Sequence, residues 1–402
     1  MKDSARTMSG TERRQFVFLN HWAARLGGAE LSLLELLDAA RDRWDCHLVT
    51  TEDGALPDRA ARLGITCHVV PCGGSFMEIR RGSLFRHILF SWREWLHFAA
   101  YLIRLRGLVK HLRPVLIHAN IPKSHVALFL LRLTGCRAHA CFHIREIFGR
   151  ASMSSLLYRA LFPSRNASVI AISGAVKARL PFRLRTRAAV IYNGVGIAPE
   201  TGAVPKKDSR VLNLLYLGRI VPWKGCRYLI EILDAARKRY PDAPLRLDLV
   251  GDTAYWSPDY RRELVTAIQR LGLGDVCRLH PRTDTPAREF ALHDVFCNAS
   301  FEEPFGRSIA EAHACGLPVV AYDSGGIREI VVHGETGFLV PYGDKASFVE
   351  ALGRFVAAPA LARTLGANGR KRAVRHFDCP RQQSRLCEFL AEQSGLRKDP
   401  EH

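Results

Sequence analysis

Three stretches of the chain set charged side chains beside glycines. In Gly218-Arg219-Ile220-Val221-Pro222-Trp223-Lys224-Gly225 two cations stand five residues apart across a loop, so both can reach one anion. The planar fork of an arginine and the point charge of a lysine together suit a diphosphate. The plainer alternative is a pair of solvated loop cations. In Phe301-Glu302-Glu303-Pro304-Phe305-Gly306-Arg307-Ser308-Ile309-Ala310-Glu311 two carboxylates, Glu303 and Glu311, have seven residues between them. Glu303 falls in the loop after an apolar run, and Glu311 about two turns into a helix that starts near Gly306. Carboxylates so placed can accept hydrogen bonds from sugar and ribose hydroxyls. A helix with an acidic first turn, favoured by the macrodipole, is the alternative. Gly27-Gly28-Ala29-Glu30 is the third stretch. Two glycines at a helix start let the backbone approach a ligand, and the free N–H groups there favour an anion. A tight structural turn would look the same.

Further glycines follow: Gly316-Leu317-Pro318, then Ser324-Gly325-Gly326-Ile327-Arg328-Glu329, whose pair opens a short helix, and Gly334 with Gly337 around a turn. His143 and His118 each close an apolar run. A lone histidine in that position is more often satisfied in a core than functional. Asn193-Gly194 reads as turn and hinge chemistry.

These residues need elements to hold them. Apolar, β-branched runs predict strands at Gln15–Asn20, Cys46–Thr50, Ile65–Val70, Val115–His118, Ala138–Phe142 and Val169–Ile172. Helical patterns lie between them, after Gly27-Gly28, over Leu84–Leu112, His125–Leu133 and Leu156–Leu161. A stretch rich in Pro, Gly and charge (198–209) has linker composition. A second alternating run follows, with strands at Leu212–Leu217, Leu245–Val250, Val276–Leu279, Val295–Asn298, Pro318–Ala321 and Gly337–Val340. Its helices are expected at Tyr228–Tyr240, Arg261–Leu271, Ser308–Cys315, Lys345–Ala358 and Leu361–Gln393. Alternating strands and helices predict βαβ units and parallel sheets. The fold class is therefore α/β, with two doubly wound Rossmann-like domains facing a cleft. The boundaries fall at 1–198, a linker at 199–209, a second domain at 210–375, and a final helix and tail at 376–402. In such sheets ligands bind beyond the carboxyl ends of the strands, where all three charged stretches lie.

The chain has 402 residues, 48% hydrophobic and 24% charged, which excludes a disordered chain, a collagen and a small disulfide scaffold. Its net charge of +19 is unevenly spread. Residues 1–199 hold 29 Lys+Arg against 13 Asp+Glu, whereas residues 200–402 hold 29 against 26. Between Arg80 and Arg187 there are 20 basic residues and two acids, Glu94 and Glu146. Such a field calls for an anionic partner: membrane, nucleic acid or phosphorylated substrate. Eleven scattered cysteines, none in a CxxC pair, read as buried thiols of a reducing compartment. Neither a secretory signal nor an 18-residue apolar span is expected. Without such a signal the sequons at Asn166 and Asn298 carry no meaning. There is no Asp-x-Asp for a metal-bound diphosphate, no Gly-x-Gly-x-x-Gly, no phosphate-loop lysine, and no histidine pair in a zinc context.

Taken together, the motifs resemble the signature of family 4 of the retaining glycosyltransferases, which have the GT-B fold. The resemblance rests on Glu303-Pro304-Phe305-Gly306, Glu311-Ala312, Ala314-Cys315-Gly316-Leu317-Pro318-Val319-Val320-Ala321, Gly325-Gly326, Glu329 and Gly334…Gly337. Gly218-Arg219…Lys224-Gly225 and Gly27-Gly28-Ala29-Glu30 match the other two family motifs, and Ser173 and Asn193-Gly194-Val195 also match family positions. His313 stands where a Met is common. The resemblance implies a nucleotide-sugar donor. Arg219 and Lys224, with Gly218 beside them, hold the diphosphate. Glu303 contacts the transferred sugar and Glu311 the ribose. Backbone near Gly27 and Gly28 approaches the phosphate or sugar, and Phe305 and Gly306 shape the pocket. His143 lies near the donor sugar. The last helices pack back toward the N-terminal domain. It further implies a retaining, metal-independent transfer with no cofactor, onto a glycan or lipid-linked acceptor, in cell-surface polysaccharide or glycolipid biosynthesis.

Three rival functions are a nucleotide-sugar epimerase, a phosphorylase-like enzyme, and a basic nucleic-acid-binding protein. The last accounts for the charge but not for Glu303 and Glu311, and it lacks aromatic–basic interleaving. No nucleic-acid partner is expected. An anionic membrane surface is. In the Leu84–Leu105 helix Arg86, Arg93, His97 and Arg104 share a face, beside Phe85, Ile88, Leu89, Trp92, Trp95, Leu96, Ala99 and Leu102. This pattern suits the headgroup boundary. It would place the protein in the cytoplasm, peripheral on the inner face of the cytoplasmic membrane, with the helix breaking near Gly107. The alternative is that the apolar stripe packs on the sheet.

Overall fold

The structure is a computed structural model and describes residues 13–24, 26–73, 92–148, 158, 166–197, 211–252 and 258–395. Seven strands form the first sheet: β1 (Gln15–Leu19), β2 (Asp45–Thr50), β3 (Thr66–Val69), β4 (Leu116–Ala119), β5 (His139–Ile144), β6 (Ala167–Ala171) and β7 (Ala188–Val190). Their spatial order is β3-β2-β1-β4-β5-β6-β7. Six more form the second: β8 (Leu212–Leu217), β9 (Leu245–Val250), β10 (Cys277–His280), β11 (Val295–Asn298), β12 (Val319–Tyr322) and β13 (Gly337–Val340), in the order β10-β9-β8-β11-β12-β13. All the pairings are parallel, with Phe16 beside Leu116 in one sheet and Leu214 beside Val295 in the other. Buried on both faces, the central strands read as unbroken apolar runs, as in Phe16–Leu19 and Val295–Cys297.

Strand order reverses between β1 and β4 and again between β8 and β11. Crossovers leave these neighbours on opposite faces, so a crevice opens beyond their carboxyl ends. The Gly27 turn follows β1, and Gly218–Gly225 follows β8. Glu303 follows β11. The two sheets thus carry the expected motifs to their switch points.

Helix α1 (Gly28–Ala40) buries Leu33, Leu36, Leu37 and Ala40, one stripe of the 3.6-residue period. The final 33-residue helical pattern is in fact two helices, Ala360–Phe377 and Cys379–Gln393. Asp378 separates them because its extended backbone and side chain cap the second helix, whose first turn holds Pro380. At that joint Val195 donates to the Phe377 carbonyl and accepts from Cys379 N–H, at 2.8 and 3.1 Å. Gly194 is needed there, because a Cβ would sit 2.6 Å from the Cys379 Cα. Beyond it Leu386, Cys387 and Leu390 share a core with Phe16, Leu33 and Trp44 of the first sheet's layer.

The long basic helix differs from expectation in two ways. It runs unbroken over Trp92–Leu112, through Gly107, because Leu105 and Val109 anchor it on both sides. That outweighs the ~1 kcal/mol cost of a helical glycine. Its core face is Phe98, Tyr101, Leu105, Val109 and Leu112. Of the described part of the anticipated stripe, Leu96 and Ala99 stay exposed, while Leu102 is half-buried against the core. Phe85, Arg86, Ile88, Leu89 and the side chains of Trp92 and Trp95 lie outside the described residues, as do the linker and the Leu156–Leu161 helix apart from Tyr158. The strand β7 and the helix Ala55–Arg62, only three and eight residues long, were not anticipated from the sequence.

Candidate active site

On the second sheet, the chain leaves β8 through Gly218 and makes one 3-10 turn over Pro222–Lys224. Gly225 then takes φ +75°, with its α-carbon against the Ala299 carbonyl. A Cβ there would lie 2.1 Å from that oxygen, so only glycine lets the β8 and β11 loops touch. This contact sets Lys224 against Glu303 in an ion pair, with the carboxylate side chain only 7% exposed. Gly325 does the same from the other side. At φ +58° it lies under the Glu303 backbone, and Gly326 N–H donates to the Glu303 carbonyl at 2.7 Å. Glu303 is therefore clamped between the two glycine turns that the sequence singles out. Arg219 is exposed, and its charge acts on Glu30 of the first sheet's layer.

Gly306, at φ +101°, caps the helix Arg307–Ala314. Arg307 donates from Nε to Glu311 Oε1 at 2.8 Å, one turn on. Its other nitrogens cross to α1, reaching Ser32 Oγ at 3.0 Å and both oxygens of Glu35. Burial works against this guanidinium's charge, but its hydrogen bonds to Glu35 and the fields of Glu35 and Glu311 raise its pKa above the ordinary value. Burial raises the Glu311 pKa, and Arg307 opposes that. Gly28 faces the Arg307 stem at 3.8 Å from where a Cβ would be. Gly27 N–H donates to Glu30 Oε2 at 2.9 Å. The N-terminal glycine turn and the Glu311 helix thus meet directly. The Phe305 ring also has a packing role. It is buried between Tyr192 and Phe377, so it joins the two halves.

At the ends of the first sheet's strands sits a buried polar cluster. His143 Nδ1 is 3.1 Å from His118 Nε2 and 3.4 Å from Arg145 Nη2. Arg145 also donates to Asn120 Oδ1 at 2.8 Å and Asn193 Oδ1 at 2.7 Å. Burial, then the fields of Arg145, His118 and His125, pushes His143 well below the ordinary histidine pKa. His118 is pushed down to about 3, mainly by burial. Both rings are neutral at working pH. Further contacts bind the halves together. Gly174 and Ala175 N–H each donate to Glu329 at 2.8 Å, Tyr192 Oη donates to it at 3.1 Å, and Arg179 pairs with Glu302 at 2.7 Å.

Arg307, Glu35, Arg145 and Asn120 were not anticipated as site residues. For Arg307 a signal existed: it stands four before Glu311 and directly after the capping glycine. For Arg145 the signal was its place two residues beyond His143. Glu35 and Asn120 carry no local signal, since only the tertiary fold brings them in. Among the described residues, no three His, Cys, Asp or Glu side chains converge as metal ligands.

Two family models divide the chain between them. "Glycosyltransferase Family 4" matches residues 26–198, and "Glycosyl transferases group 1" matches residues 200–372. This chain belongs to glycosyltransferase family 4. The D-inositol 3-phosphate glycosyltransferase of Pseudarthrobacter chlorophenolicus is 34% identical over 43% of this chain and 43% of its own length. The alpha-maltose-1-phosphate synthase of Mycolicibacterium smegmatis is 31% identical over 58% of this chain and 64% of its own. The chain therefore spans between two-fifths and two-thirds of the length of these relatives. Among solved structures, Anabaena HepE in complex with UDP and glucose has 26% identity and a TM-score of 0.76, covering 94% of this chain and 99% of that one. The GT-B arrangement of two parallel-sheet domains is that of family 4.

Proposed function

We propose that the protein is a retaining, metal-independent glycosyltransferase acting on a nucleoside-diphosphate sugar. The observation that carries this reading is the Lys224–Glu303 pair, held by Gly225 and Gly325 at the β8/β11 switch point. A lysine and a carboxylate so confined can exchange partners. An arriving diphosphate draws Lys224 and Arg219, and frees Glu303 for the hydroxyls of the transferred sugar. The bond from the anomeric carbon to the diphosphate oxygen then breaks, and negative charge grows where the two cations stand. The acceptor hydroxyl attacks on the same face, and its proton passes to the departing phosphate oxygen. Glu311 takes the ribose hydroxyls. From the N-terminal domain His143 stands by the sugar and the Gly27-Gly28 backbone covers it. Family membership supports retention. The absence of Asp-x-Asp from the sequence supports charge neutralisation by side chains rather than by a metal.

HepE has been solved with UDP-glucose, which supports a nucleotide-sugar donor here. The basic N-terminal half supports a phosphorylated or lipid-linked acceptor at an anionic surface. It fits the relatives of this chain, which include a GDP-mannose-dependent alpha-(1-6)-phosphatidylinositol monomannoside mannosyltransferase of Mycolicibacterium smegmatis, 34% identical over 45% of this chain. A cell-surface glycan or glycolipid is then the product, made at the inner face of the cytoplasmic membrane. Among the described residues, no helix is long and apolar enough to cross a membrane. The test is a thermal-shift screen of nucleoside diphosphates and their sugars. A true donor at 100 times its Kd adds about 2.7 kcal/mol of stability. No shift with any diphosphate or sugar conjugate would overturn the reading.

A further inference from the structure

Arg145 is a buried cation whose hydrogen-bonded side-chain partners are all neutral: Asn120, Asn193 and His143. A guanidinium has donors only, so each of these partners must turn an acceptor toward it. That single fact fixes the polarity of everything it touches. Asn120 must present its oxygen to Arg145, which leaves its amide N–H groups for Asn20 Oδ1 at 2.9 Å and the Ala29 carbonyl at 3.2 Å. Arg145 thus reaches the backbone of the N-terminal glycine turn through one side chain. On the other side, His143 Nδ1 lies 3.4 Å from Nη2, long for a hydrogen bond but directly in the field of the cation. An N–H there would set two positive hydrogens against each other, so Nδ1 carries a lone pair. The same lone pair then accepts from His118 Nε2 at 3.1 Å, which makes His118 the donor of that pair. A neutral imidazole with a bare Nδ1 carries its proton on Nε2. His143 Nε2 is buried and has no protein partner. It is therefore an unspent hydrogen-bond donor at the carboxyl end of β5.

We propose that Arg145 is a positioning residue that sets the tautomer of His143, so that the ring presents Nε2–H to a hydroxyl oxygen of the donor sugar. Without the cation the His118–His143 pair can reverse. His143 would then donate from Nδ1 to His118, and Nε2 would turn into an acceptor, facing the sugar with the opposite polarity. The field of Arg145 also helps hold both rings neutral, together with burial and the neighbouring His125. Glu30, Glu35 and Arg307 face Arg145 from the α1 and Gly306 sides, and the two carboxylates keep it charged. The proposal rests on the reading that His143 lies beside the donor sugar.

The test is the tautomer itself. In uniformly 15N-histidine-labelled protein, long-range proton–nitrogen correlation distinguishes Nε2–H from Nδ1–H, and His143→Asn assigns the signal by its disappearance. The wild type should show Nε2–H alone between pH 6 and 8. Arg145→Gln should give Nδ1–H or a mixture. It should lower kcat at least tenfold with the donor KM changed less than threefold, and Arg145→Lys should recover part of kcat. An Nδ1–H signal in the wild type overturns the proposal without need of any variant. So does a folded Arg145→Gln protein that keeps Nε2–H and full kcat. Failure of the underlying reading looks different: His143→Ala would then turn over normally while the wild-type signal remained Nε2–H.

Discussion

In the proposed transfer, departure of the diphosphate depends on Arg219 and Lys224. Lys224 already stands against Glu303, and Arg219 is exposed at the same turn. Removing one preorganised donor at a site of developing charge costs about 2.7–4 kcal/mol. Arg219→Ala and Lys224→Ala should each reduce turnover at least about a hundredfold while the protein still melts cooperatively. Turnover near wild type in either variant would count against the diphosphate role. The two glutamates should separate by kinetics. On the proposed reading Glu311→Ala removes a ribose acceptor and should raise the donor KM, because such a contact is equal in ground and transition states. Glu303→Ala should mainly lower kcat. An unchanged KM in the first or an unchanged kcat in the second would contradict this division. If, as proposed, two side-chain cations take the place of a metal, activity should be the same in EDTA as in added Mg²⁺. Activity lost to EDTA and restored by Mg²⁺ would show that a metal takes part.

Among the elements, the strand ends of the first sheet hold an unusual load of buried histidine. His21 and His118 are pushed down to about 3 and His125 to about 4, chiefly by burial. His313, in the helix after Gly306, is likewise pushed down to about 4. These groups are neutral when folded but take up protons below pH ~6.5 once the chain unfolds. The unfolded state then binds more protons, so stability falls as pH drops from about 6.5 toward the folded values. Each group contributes a slope of up to roughly 1.4 kcal/mol per pH unit in that window. Glu30 and Glu311, whose pKa values burial raises, act in the opposite sense but only nearer the carboxylate range. Urea unfolding should therefore show a lower midpoint at pH 5.5 than at pH 7.5. Equal midpoints would mean that these rings are not neutral in the fold.

For the whole molecule, charge is the dominant property. The basic excess lies almost wholly in residues 1–199. On the described part of the long helix, Arg93, His97 and Arg104 are exposed beside Leu96 and Ile103, which are 58% and 72% exposed. The face opposite is spent on the core. Cations next to exposed aliphatic side chains suit a headgroup boundary, where each basic residue contributes about 1 kcal/mol at an anionic surface. The protein should sediment with vesicles in proportion to their anionic lipid, and salt should release it. If it stays in the supernatant with anionic vesicles at low salt, an acceptor free in solution becomes the better reading.

The alternation of strand and helix, the two sheets and the three glycine-rich turns were all legible in the sequence. They depend on local periodicity and on backbone conformations that only glycine allows, and both are written in neighbouring residues. Glu303 and Lys224 were legible as chemistry for the same reason. Their pairing was not, because 79 residues separate them and the contact exists only where β8 and β11 lie side by side. Nor was the joint at Asp378, where the helical pattern continues but the chain turns back to Val195. The polarity of the His118–His143–Arg145–Asn120 cluster was the least legible. Hydrogen-bond direction depends on which atoms the fold brings within about 3 Å, and no spacing along the chain encodes that. Sequence therefore set the elements and the residues at their ends. Tertiary packing alone decided which of those residues face one another and which are neutral.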